Sequence, residues 1–166
     1  ESQITSGGSF GDGWKGFPTS TNTETFENGQ GYRAYIVDKR TGSSVKKLSF
    51  TGEINQGDFE FSSLSNANMT YTNSGVANSE GYAFLGNPYP SAIDFAENNW
   101  TKINVTDAIY IWDAETKTWR GWSQSAGAYN GGSSIIPMGQ GFWVQATGTP
   151  TLTVRESAKV SNTVSL

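Results

Sequence analysis

The chain has 166 residues, neither cysteine nor histidine, and a net charge of −4 at pH 7. These absences exclude disulfides, thiol nucleophiles, the usual serine-hydrolase triad and the nitrogen ligands of typical zinc sites. An acidic chain with few clustered Lys and Arg side chains also disfavours nucleic acid as a partner. No apolar run approaches the roughly 18 residues of a membrane-spanning helix, so we expect no membrane insertion.

Apolar and polar residues alternate with a period of two along most of the chain, which is typical of short β-strands. Only residues 91–98, after Pro90 and with Ser91 as a candidate N-cap, favour a short helical turn. We therefore expect an all-β chain that folds as one antiparallel β-sandwich over residues 1–166, of the jelly-roll or immunoglobulin-like kind. In chain order, the predicted strands are 32–37, 47–51, 58–61, 82–85, 108–112, 118–123, 142–146 and 151–155.

The apolar positions of these strands predict one shared core between two sheets. Its expected members are Tyr32, Ala34, Ile36, Leu48, Phe50, Phe59, Phe61, Ile109, Ile111, Phe142, Val144, Leu152 and Val154.

Three landmarks occur twice in the same order and predict that the sandwich is built from two related halves, about 14–72 and 73–160. Each half would hold a Trp-bearing strand, a Gly-flanked strand and a closing strand. The matched segments are Trp14–Phe17 with Trp119–Trp122, Gly29–Tyr32 with Gly139–Phe142, and Leu48–Phe50 with Leu152–Val154.

Three longer segments resemble a region of large Bacteroidota surface proteins. They are GYAFLGNPYPSAID at 81–94, DAIYIWD at 107–113 and PMGQGFWVQA at 137–146, and the resemblance extends from about residue 14 to residue 160. In that group the region usually lies upstream of a type IX secretion sorting domain. The resemblance implies an extracellular, cell-surface setting and an adhesion or structural role, with a neighbouring surface-protein domain as one possible partner.

Two short motifs favour structural interpretations. In Asn87–Pro90 the prolines fix φ and remove backbone donors, so we expect a sharp corner. The two Gly-Gln-Gly segments precede aromatic strand residues rather than a helix, so they do not form a phosphate-binding loop. Glycine at a strand entry instead lets the backbone bend.

Outward aromatic side chains are the strongest functional lead. Tyr110 and Trp112 alternate with Ile109 and Ile111, and Trp143 alternates with the core residues of its strand. A row of such rings, joined by Trp119 or Trp122, would form an aromatic platform for stacking on the sugars of a polysaccharide. In the alternative, residues 87–106 and 123–137 fold over the rings and bury them as a second small core.

Carboxylates offer the only route to catalysis, because a glycosidase needs a facing pair of them. Asp94, Glu97, Asp107, Asp113 and Glu115 are the candidates, but residues 113–117 are typical of a hairpin turn. We therefore predict no catalytic residue and no enzyme. Asp107, Asp113 and Glu115 could also supply oxygen ligands to a structural calcium ion, although they lack EF-hand spacing. No other cofactor is expected.

Overall fold

The computed structural model describes residues 25–33, 51–63, 69–71, 73, 80–96 and 98–161. The chain is all-β, with two antiparallel sheets, and the described part contains no helix long and apolar enough to span a membrane. A 3-10 turn lies at Glu156–Ala158. The strands are β1 (Phe59–Glu60), β2 (Tyr82–Gly86), β3 (Ala92–Asp94), β4 (Trp100–Val105), β5 (Ala108–Asp113), β6 (Thr118–Ser123), β7 (Gly127–Tyr129), β8 (Ile135–Ile136), β9 (Gly141–Val154) and β10 (Lys159–Val160).

The 14-residue strand β9 organises the larger sheet. At Trp143 it pairs with β2 and β5, and at Val154 it pairs with β1 and β4. Strands β6 and β7 extend the sheet beyond β5. Even-numbered residues of β9 face inward, so burial alternates along the strand.

The smaller sheet has the order β10-β3-β8 and packs its apolar residues into the same core cluster as β9. Seven of the predicted core residues are buried, namely those at positions 61, 109, 111, 142, 144, 152 and 154. Phe59 is half-buried and packs against this cluster. The prediction that Tyr32 belongs to the core was wrong, because Tyr32 lies outside this cluster. Its hydroxyl donates a hydrogen bond to the Gln30 side chain and accepts one from the Glu27 amide. The predicted core residues that lie outside the described residues are Ala34, Ile36, Leu48 and Phe50.

Two predictions of secondary structure were wrong. The helical turn expected at 91–98 is not found at residues 91–96, because Ala92–Asp94 pairs with β8 and β10 as the central strand of the smaller sheet. The predicted strands 142–146 and 151–155 belong to one strand, β9, that ends at Val154. Pro150 is tolerated inside β9 because the β4 register is broken opposite it, at Asn104, whose φ is 52°.

The expected corner at Asn87–Pro90 joins the two sheets. The Asn87 side-chain nitrogen lies 2.8 Å from the Ser91 carbonyl, 3.1 Å from that of Ile136 and 3.0 Å from that of Pro137. Its side-chain oxygen accepts a hydrogen bond from the Tyr89 amide. The corner is thus held by one polar side chain rather than by apolar packing alone.

Candidate functional site

One face of the larger sheet, on the side away from the core, carries a continuous group of aromatic side chains. Its positions follow from the register, because Phe84, Trp143 and Tyr110 are successive cross-strand partners and Trp112 pairs with Trp119. We call this group the aromatic face; its members are Tyr82, Phe84, Tyr110, Trp112, Trp119, Tyr129 and Trp143.

The rings of the aromatic face pack against one another and remain accessible to solvent. Trp112 is 41% exposed, Trp119 40% and Tyr129 61%, whereas Tyr110 and Trp143 are half-buried. The rings are therefore not a second buried core. Burial, with a smaller contribution from Tyr110, raises the pKa of Tyr82 above the usual value for tyrosine.

The rings are not coplanar. Trp112 and Trp119 lie 5.2 Å apart at an interplanar angle of 66°, and Trp119 and Trp143 lie 6.4 Å apart at 81°. Only Phe84 and Trp143 approach a parallel stack, with 5.0 Å between centroids and 28° between planes. The face is thus a set of turned, edge-to-face rings, not the flat platform that alternation alone suggested.

Trp122 does not belong to the aromatic face. Of the two tryptophans that the sequence offered as a further ring, Trp119 lies on this face and Trp122 does not. It is the cross-strand partner of Ile109 and points to the core side of the sheet. There it lines a small cavity together with Ile111, Gly132 and Ile135. Residues 132–135 therefore pack against the core side of β5 and β6. In the alternative interpretation, the segment 123–137 that contains them would cover the rings on the other side of the sheet.

Glycines beneath the rings explain how the aromatic side chains lie close to the sheet. A side chain at either Gly31 or Gly141 would overlap the Phe84 ring, and one at Gly121 would reach within 3.1 Å of Tyr110. Gly31 and Gly141 end the two Gly-Gln-Gly segments, which lie beside β2 at Leu85 and Gly86. Both segments thus support the ring face structurally, as their sequence context indicated.

The structure does not bring the candidate calcium ligands together. Asp107 precedes β5 and its carboxylate accepts a hydrogen bond from the Ser125 amide. Asp113 ends β5, roughly 20 Å away at the rise of an extended strand. Only Glu115 lies near Asp113, in the hairpin turn. Across the described ranges, no group of three or more acidic side chains could hold a metal ion.

Asp113 has a structural role that accounts for its perturbed pKa. Hydrogen bonds from the Thr116 side chain, then from the turn amides and Arg120, lower the pKa of its carboxyl to about 2. Asp94 caps a turn by accepting a bond from the Ala96 amide. The remaining catalytic candidate, Glu97, lies outside the described residues.

A comparison with protein-family models matches residues 5–164 to one family, described as Domain of unknown function (DUF8693). The chain belongs to this family. Comparisons with curated proteins and with solved structures found no match. The family description assigns no activity, so the function of this DUF8693 domain has to be argued from its geometry.

Sequence reasoning missed the polar continuation of the aromatic face in this DUF8693 domain. Beyond Trp143 the outward positions of β9 are Gln145, Thr147, Thr149, Thr151 and Thr153, while the inward ones are apolar or glycine. The alternating threonines from 147 to 153 were the available signal, but Gly148 and Pro150 obscured it by suggesting a turn. The structure shows one surface that is aromatic at one end and hydroxyl-rich at the other, where Glu60 is the cross-strand partner of Thr153.

The sequence also gave no reason to single out Lys102. Its amine donates a 2.6 Å hydrogen bond to the Phe95 carbonyl and lies 3.6 Å from the centre of the Phe95 ring. Burial lowers the Lys102 pKa to about 8, although the nearby charges of Asp107 and Asp94 oppose this shift. A half-buried amine of this kind makes folding dependent on pH.

We expect the free energy of unfolding to rise as the pH increases from about 8 to 10.5. In that window the folded state has released the Lys102 proton while the unfolded state still holds it, so a higher pH favours folding. Urea unfolding of the wild type and of Lys102→Met at several pH values checks this. The difference between the two proteins isolates Lys102 from tyrosine titration. A difference that stays constant across the window would contradict the assignment.

Proposed function

We propose that the protein is a non-catalytic binding or adhesion module that contacts its partner through the aromatic face. The observation that carries this proposal is the solvent exposure of Trp112, Trp119 and Tyr129 on one sheet face. Large aromatic side chains cost free energy to leave in water, and neighbouring exposed ones commonly mark interaction surfaces. Each ring could contribute roughly 0.5–1.5 kcal/mol to a bound partner.

The non-catalytic part of the proposal is supported by what the acidic side chains do. Asp94 and Asp113 accept hydrogen bonds from backbone amides of their own turns, and Asp107 accepts one from the Ser125 amide just beyond β6. A carboxylate that is held in a turn with a lowered pKa, as in Asp113, is unsuited to act as a general acid at neutral pH.

The proposed setting is the surface of a bacterial cell, where the module would hold a polysaccharide or a neighbouring surface-protein domain. This setting is supported by the resemblance of residues 81–94, 107–113 and 137–146 to the Bacteroidota region described above. A chain rich in Ser, Thr and Gly residues, in which only 16% of the residues are charged, is consistent with it.

The proposal predicts that truncating an exposed ring weakens adhesion without unfolding the protein. Fluorescently labelled wild type, Trp112→Ala and Trp119→Ala would be applied to bacterial envelopes, extracellular-matrix proteins and immobilised polysaccharides. We expect each variant to lose about tenfold in affinity on the surface that retains the wild type. Ile54→Ala is the matched control, because Ile54 is 67% exposed but precedes β1, outside the aromatic face and its polar continuation.

Two outcomes would refute this proposed function. One is that no surface retains the wild type. The other is that Trp112→Ala and Trp119→Ala bind as well as Ile54→Ala does. Thermal unfolding of all four proteins establishes that any loss of adhesion reflects the missing ring rather than a lost fold.

A further inference from the structure

The outward positions of β2, β5, β6, β7 and the first half of β9 carry no charged side chain. Besides the seven rings they hold only glycine, alanine, Ser123 and Gln145. The chain as a whole carries 26 Lys, Arg, Asp and Glu residues in total, 11 basic and 15 acidic. These positions lack the charged groups that select an anionic or cationic partner, so they match a neutral one.

The orientation of the rings indicates which shape of neutral partner fits. A flat crystalline surface offers many coplanar sugar rings and requires coplanar aromatic rings to stack on it. The exposed pair Trp112 and Trp119 is inclined by 66°, and Trp119 and Trp143 by 81°. Successive ring faces therefore point in different directions, which suits a single chain whose sugars turn from one unit to the next.

The polar end of the same surface offers suitable partners for sugar hydroxyls. Thr147 and Thr149 are exposed on the outward side of β9, directly after Gln145. A hydroxyl both donates and accepts hydrogen bonds, so a row of threonines can bond to a polyol in many registers. Aromatic rings beside hydroxyls and amides thus provide both of the contacts that a neutral sugar makes.

We propose that the aromatic face binds single, neutral polysaccharide chains and not the flat surface of a crystalline glycan. This inference rests on the proposed function and specifies its ligand class. The test measures binding to soluble xylan, laminarin and glucomannan, to the anionic polymers polygalacturonate and heparin, and to microcrystalline cellulose and crystalline chitin. Affinity electrophoresis serves for the soluble polymers and depletion from solution for the crystalline ones.

We expect at least one neutral soluble polymer to retard the protein in the gel. The anionic polymers should not retard it, and the crystalline solids should not retain it. Trp112→Ala should weaken that binding about tenfold, whereas Ile54→Ala should leave it unchanged. The inference would be overturned if the protein preferred cellulose or chitin crystals or an anionic polymer. It would also be overturned if the protein bound none of these glycans. Adhesion to a protein surface that depends on Trp112 would overturn it too, while leaving the proposed function intact.

Discussion

Replacing Asn87 with alanine should destabilise the fold by roughly 2–4 kcal/mol, the largest effect expected for any single polar side chain described above. The change removes the donor that serves the carbonyls of Ser91, Ile136 and Pro137, and the acceptor for the Tyr89 amide. These groups lie where the two sheets join, so water reaches them poorly. Thermal unfolding should show a melting temperature lower by roughly 5–15 °C.

Asn87→Asp tests the role of the donor nitrogen separately from that of the acceptor oxygen. It keeps the oxygen that accepts from Tyr89 but places a carboxylate against three carbonyl oxygens, so it should be at least as destabilising at neutral pH. Repulsion raises its pKa in the folded state, and stability should therefore recover as the pH falls and the acid regains a donor. Gln124→Ala, at an exposed position, is the control and should be neutral. If Asn87→Ala matches it, the corner does not depend on this side chain.

Gly132→Ala should cost roughly 2–4 kcal/mol by a different mechanism. A β-carbon at residue 132 would overlap the backbone carbonyl, carbon and nitrogen of Gly121. Backbone atoms cannot rotate away as a flexible side chain can, so β6 has to shift. Since Trp119 lies two residues from Gly121 on β6, the variant should also change tryptophan fluorescence and weaken any binding through the aromatic face.

Two other glycine substitutions provide reference values for the stability loss in that experiment. Gly131→Ala adds no contact within 4 Å but forces alanine to a φ of 72°, which should cost about 1 kcal/mol. Gly52→Ala adds no contact and keeps an ordinary backbone, so it should be close to neutral. Equal stabilities of Gly132→Ala and Gly131→Ala would show that the approach to Gly121 is looser than the structure has it.

The sequence predicted the elements that are governed by strict alternation. Strand β6 is found at the predicted residues, and β5 extends one residue beyond its prediction to Asp113. Alternation fails for β3 and β8, which have three and two residues and whose pairing is decided by distant partners. Pro90 and Ser91 favour a helix locally, but the hydrogen bonds of Ala92–Asp94 to both neighbouring strands outweigh that preference.

The candidate site was predictable in composition but not in geometry. Alternation correctly placed Tyr110, Trp112 and Trp143 on one side of the sheet, because the direction of a strand side chain depends only on parity. Ring tilt depends on contacts between strands, as for Trp119 against Trp143, and no local pattern encodes it. Tyr129 was missed because Gly127–Tyr129 is too short to show a period.

The length of β9 has a consequence for how the molecule comes apart. Four other strands hydrogen-bond to it, and each of them would lose its partner if this one segment were cut or pulled free. We therefore expect the larger sheet to melt in a single transition. A protease nick in that segment is expected to disrupt the aromatic face as a whole.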